Sequence, residues 1–66
     1  MIEVAEMPNT FDLAKQYAKK HISSVENWYH GEIHNVWVDD HGDTCIQYED
    51  GCWWHYHVKN GELKWW

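Results

Sequence analysis

Six histidines, two cysteines and eleven carboxylates are the side chains of this 66-residue sequence that could do chemistry. His55 and His57 stand two apart. On a β-strand both imidazoles would project from one face about 7 Å apart, a separation that two ligands of one zinc ion can span. In the register expected below, their neighbours are Thr44, Ile46, Lys64 and Trp66, so a third ligand is missing and the Lys64 ammonium repels a cation. No metal site and no cofactor are therefore expected. His30 and His34 have the spacing of helical ligands, but Gly31 lies between them, and neither an HExxH motif nor a zinc-finger cysteine pair accompanies them.

Cys45 and Cys52 fall on one face of the expected hairpin, separated by more than about 10 Å, which is beyond disulfide or shared-metal reach. They read as structural. A Cys/His catalytic pair could meet only in space, and no nucleophile elbow, phosphate loop or nucleotide motif is present. A chain of this size also leaves little room for a concave pocket beside its own core. The expectation is that the protein is not an enzyme.

The carboxylates are grouped. Asp39, Asp40 and Asp43 cluster in one loop, and Glu49 and Asp50 in the next. Turn chemistry and solubility account for them first, because Asp hydrogen-bonds nearby backbone in turns. A sharper reading is an acidic surface that imitates a nucleic-acid backbone. The stretch from Asp39 to Asp50 lacks the alternating ligands and terminal Glu of a calcium loop.

The formal charge of −6 and the five basic residues, all of them Lys, argue against nucleic acid as a partner. Phosphate neutralisation supplies much of that affinity, and Arg supplies the bidentate contacts. Two cysteines are too few for a disulfide scaffold, and the sequence opens without a secretory signal pattern, so a cytoplasmic location is expected. No apolar run approaches the roughly 18 residues of a spanning helix, so no membrane insertion is expected.

These residues must be positioned by few elements. A chain this short buries only about 60% of its unfolded surface, and six Trp, four Tyr and one Phe must supply most of the core, at roughly 150 to 250 Å² each. The pattern predicts an α+β fold, with one N-terminal helix packed on a three- to four-stranded antiparallel β-meander in a single domain over residues 1–66. Residues 1–9 read as an extended arm. Asn9 or Thr10 can cap a helix over 10–25, in which Phe11, Ala14, Ala18, Ile22 and Val25 recur at three- and four-residue steps and Tyr17 and His21 flank the stripe. Residues 26–31 could continue the helix or fold over the sheet.

From residue 32 to 66 the period changes to two. Turns are expected at His41-Gly42, Asp50-Gly51 and Asn60-Gly61, the last two being strong type I′ hairpin signals. Two-residue loops at all three would set Val38 opposite Cys45, Cys45 opposite Tyr56, and Tyr56 opposite Trp65. One face then carries Val36, Val38, Cys45, Trp54, Tyr56, Val58, Leu63 and Trp65, and is read as the core.

The other face carries Trp37, Ile46, Tyr48, Trp53, His55, His57, Lys64 and Trp66, too aromatic for a surface that meets only water. The expected binding residues are Trp37, Ile46, Tyr48, Trp53, His55 and Trp66, rimmed by Asp39, Asp40 and Asp43. The function expected is that of a small acidic protein-interaction module, of the kind a phage or mobile element encodes as a regulator or inhibitor. Its partner is another protein or itself, with a homodimer the commonest form. The alternative is a module that stacks the planar rings of single-stranded nucleic acid or carbohydrate.

Overall fold

The structure is a computed structural model that describes residues 10–66; the expected arm and an Asn9 cap lie outside the described residues. Helix α1 spans Thr10–Ser24, followed by β1 (Ile33–Val38), β2 (Thr44–Tyr48), β3 (Trp53–Lys59) and β4 (Glu62–Trp65). The strands form one antiparallel sheet in sequence order, with α1 against one side. This is the α+β layout of helix on meander.

Helix α1 starts where Thr10 and the first-turn Asp12 suit its positive end, and it stops at its two serines. The hydroxyls of Ser23 and Ser24 donate to the carbonyls of Lys20 and His21, a local pairing that competes with continued helix. The face that meets the sheet carries Ala14, Ala18 and His21, flanked by Tyr17 and Ile22. Phe11 and Val25, the two ends of the expected stripe, stay exposed. Two alanines at the contact bring the helix axis close, so large rings from the sheet side fill the layer: Tyr48, Tyr56, Trp54 and Trp65, with Ile46 among them.

Residues 26–31 neither extend the helix nor cover the far side of the sheet. They run back along the helix side, where the Trp28 ring packs edge-on against Tyr48 at 4.7 Å and its Nε1–H donates to the Gly31 carbonyl at 2.8 Å. Gly31 has φ +83°, and a Cβ there would lie 2.6 Å from Glu49 Oε1. The absence of a side chain lets this segment dock on the β2–β3 turn, through Glu32 N–H to Glu49 Oε1 and Glu49 N–H to the Glu32 carbonyl.

The register corrects the sequence reading at one strand. Val38 pairs with Thr44, and Thr44 with Tyr56, while Tyr56 pairs with Trp65 as expected. The first two connections are three-residue loops: Asp39 N–H donates to the Asp43 carbonyl, and Tyr48 N–H to the Cys52 carbonyl. Each loop is closed by a glycine at positive φ, Gly42 at +81° and Gly51 at +93°, in the type I turn plus left-handed residue common in hairpins of this length. Only Asn60-Gly61, with φ of 54° and 77°, makes the two-residue turn. Each three-residue loop displaces β2 by one residue against a neighbour, and the two displacements cancel between β1 and β3. All of β2 therefore turns over, while Val36, Trp54, Tyr56, Leu63 and Trp65 keep their expected place on the helix side; Val38 and Val58, read as core, are exposed.

Ile46 and Tyr48, expected on the binding face, are fully buried under α1. Cys45, expected in the helix-side core, is on the opposite face between Trp37 and His55. Cys52 pairs with Tyr48 at the turn and takes the opposite parity to Cys45, so the two thiols do not share a side of the sheet. Both are free.

Candidate functional site

The face of the sheet away from α1 carries a line of rings that crosses all four strands. Trp37 and Trp53 lie 5.2 Å apart between centroids, Trp53 and His55 4.9 Å, and His55 and Trp66 5.1 Å with planes parallel to within 1°. Trp53 is 46% and Trp66 56% exposed. Trp37 and His55 are half-buried. Of the six residues expected on this face, the structure brings these four together and removes Ile46 and Tyr48. Gln47 takes the place that Tyr48 was given, opposite Trp53.

The acidic loop flanks the line beside His55. Asp39 Oδ1 accepts the backbone N–H groups of His41 and Asp43 at 3.0 and 2.9 Å, the side-chain-to-backbone pairing that favours Asp in a turn. Its other oxygen, Oδ2, lies 3.6 Å from His55 Nε2 and 3.9 Å from Cys45 Sγ. Asp43, nearly buried, pairs its Oδ1 with His57 Nδ1 at 2.8 Å. Asp40 is exposed at the loop tip. The loop carboxylates and the strand histidines, read separately in the sequence, are thus one electrostatic unit, and Lys64 turns to Glu62 at 3.3 Å rather than standing against His55.

The titration of these groups follows from their surroundings. Asp39 is held below its ordinary carboxylate range, chiefly by the Asp43 N–H it accepts. Burial, reinforced by the Asp39 and Asp43 carboxylates, pushes the Cys45 thiol up. A thiol so placed is a poor nucleophile, because the reactive species is the thiolate. The sequence reading misses Cys45 in this face; three-residue readings of Asp40-His41-Gly42 and Glu49-Asp50-Gly51, each with glycine in the left-handed position, are the signals that place it opposite Trp37 and His55.

A second polar group lies on the helix side. His21 Nδ1 meets the Tyr56 hydroxyl at 2.5 Å, and that hydroxyl meets Tyr48 OH at 2.8 Å. All three side chains are buried, with Trp65, Trp54 and Trp28 packed around the imidazole at 4.6 to 5.0 Å. Burial lowers the His21 pKa and raises those of both tyrosines, so the chain is neutral and each member's polar atom has a partner. It is a polar network inside the core.

Among the described residues no helix is long and apolar enough to cross a membrane. Compared with known proteins, the chain matches no family model, no curated protein and no solved structure. Its own geometry defines a two-layer α+β protein with one face packed under a helix and the other bearing an aromatic line flanked by an acidic loop.

Proposed function

We propose that this chain is a non-catalytic protein-interaction module whose aromatic sheet face binds a basic protein partner. One observation carries the reading: Trp37, Trp53, His55 and Trp66 are contiguous across the sheet, and its two most exposed members are tryptophans. Half-exposed tryptophans on a rigid strand lose little conformational freedom on binding, and such anchors dominate interface energies. The Asp39–Asp43 loop beside the line provides an acidic rim, which steers a cationic surface and sets its orientation.

Charge favours a partner over a second copy. Each copy carries −6, so self-association through this face gathers like charge, whereas a partner rich in Lys and Arg relieves it. The two free thiols suit a reducing compartment such as the cytoplasm.

The test is titration of the protein with peptides that set Arg and Lys around a Leu or Trp anchor, read by tryptophan fluorescence, alongside solution mass from about 1 to 200 µM. The expected result is a monomer with saturable, salt-sensitive binding that Trp53→Ala weakens by roughly 30-fold, the loss typical of a hot-spot residue. A dimer abolished by Trp53→Ala would reassign the face to self-association. Quenching by neutral oligosaccharides and not by the peptides would replace this reading with ring stacking.

A further inference from the structure

We propose that Asp39, Cys45 and His55 form a binding site for a zinc ion, set into the aromatic face at the base of the acidic loop. The inference does not depend on the partner-binding role of that face. Three donor types from three separate elements converge: a carboxylate oxygen from the β1–β2 loop, a thiol from β2 and an imidazole nitrogen from β3, all within 4.8 Å of one another.

The spacing is that of a tetrahedral site slightly expanded. Zinc bonds of about 2.0 to 2.2 Å to nitrogen and oxygen and about 2.3 Å to sulfur place neighbouring donors roughly 3.4 to 3.6 Å apart. Asp39 Oδ2 is 3.6 Å from His55 Nε2 and 3.9 Å from Cys45 Sγ. A movement of a few tenths of an ångström closes the Asp39–Cys45 gap, and the Cys45 and His55 donors lie within 4.8 Å of each other.

Two of the three donors are also oriented by contacts away from the ion. Asp39 Oδ1 is occupied by two backbone N–H groups, which leaves Oδ2 to point inward. His55 has its Nδ1 3.4 Å from the Trp66 carbonyl, and a proton placed there leaves a lone pair on Nε2. This is the outer-shell arrangement that fixes the tautomer of a ligating histidine. The ring is held parallel to Trp66 as well. His55 exchanges both backbone hydrogen bonds with Trp66. Toward β2 it therefore makes the non-hydrogen-bonded pair with Cys45, in which side chains come closest.

Chemistry selects the cation. A mixed N, S, O set suits zinc, whereas magnesium and calcium take oxygen donors. On binding, the Cys45 S–H proton leaves to solvent and a metal–sulfur bond forms. The thiolate and the Asp39 carboxylate then balance the dication. Three protein ligands leave the fourth tetrahedral position for water or an external donor, the pattern of open zinc sites.

Cobalt(II) titration of the reduced protein tests this, with zinc(II) added afterwards. The expected result is one equivalent bound, with a thiolate-to-cobalt charge-transfer band and the visible bands of tetrahedral cobalt, both bleached by zinc. Cys45→Ser removes the charge-transfer band, His55→Gln weakens binding at least about tenfold, and Cys52→Ser leaves the spectrum unchanged. His55 is half-buried at the surface, so its variant keeps the fold, which circular dichroism verifies. Absence of the band, or its loss in Cys52→Ser with retention in Cys45→Ser, would overturn the assignment; the second result would move the ion to His30, Asp50 and Cys52, whose donor atoms also lie within 4.8 Å of one another.

Discussion

His21 Nδ1 and the hydroxyl of Tyr56 meet at 2.5 Å beneath α1, and this contact joins the helix to the centre of the sheet. Because Tyr56 also bonds Tyr48 OH, removing its hydroxyl strands two buried polar atoms at once. Tyr56→Phe is expected to cost about 1 to 3 kcal/mol, the penalty for unsatisfied buried groups. Tyr48→Phe, at the end of the chain, is expected to cost less. Urea denaturation of the two variants beside the parent checks the order; equal costs would mean that Tyr56 is not the hub.

The same imidazole sets a pH response. Burial, with a smaller contribution from His30, lowers the His21 pKa below 6.5 in the fold, so the unfolded chain takes up a proton there before the folded chain does. Stability is therefore complete above about pH 6.5 and declines as pH falls from 6.5 toward the lowered folded value. His21→Gln flattens that limb. Asp39 and Asp50, both held below 3.8 in the fold by accepted backbone N–H groups, add a separate loss at pH below 3.8 that His21→Gln leaves in place. Thermal midpoints measured from pH 8 to 3 on both proteins separate the two limbs.

Trp53 and Trp54 are adjacent in sequence and point to opposite faces. Trp54→Ala empties part of the layer around His21 and Trp28 and is expected to cost about 3 kcal/mol. Trp53→Ala removes a half-exposed ring and is expected to cost less than about 1 kcal/mol. Equal losses in chemical denaturation would mean that the outer aromatic line is itself core.

Gly31→Ala introduces a side chain at φ +83° and 2.6 Å from the Glu49 carboxylate. The backbone conformation alone costs on the order of 1 to 3 kcal/mol, and the contact with Glu49 adds to it. The double variant with Glu49→Ala removes the carboxylate part of the contact but keeps the Glu49 Cβ at 2.8 Å and does not change the φ. A double-mutant cycle on unfolding free energy is therefore expected to recover part of the loss, and full recovery would show that φ at residue 31 contributes nothing.

Much of the fold was legible without coordinates. The three- and four-residue recurrence from Phe11 to Val25 marks the helix, the three Gly-containing turns divide the rest into four strands, and alternation along β1, β3 and β4 puts Val36, Trp54, Tyr56, Leu63 and Trp65 on the helix side. These are local properties, written in side-chain type at fixed spacing.

What the alternation could not decide is the face of β2, because Thr44 to Tyr48 has plausible core residues at both parities: Cys45 at one, Ile46 and Tyr48 at the other. Loop length decides it, and a glycine after Asp50 or His41 serves a two-residue or a three-residue turn equally well. Packing under α1 breaks the tie, since Ile46 and Tyr48 fill the layer that Ala14 and Ala18 leave, and Tyr48 gains a partner in Tyr56. The candidate site depends on that choice. An aromatic face and an acidic loop follow from residue type and period alone, whereas the meeting of Asp39, Cys45 and His55 depends on a one-residue register set by packing on the far side of the sheet.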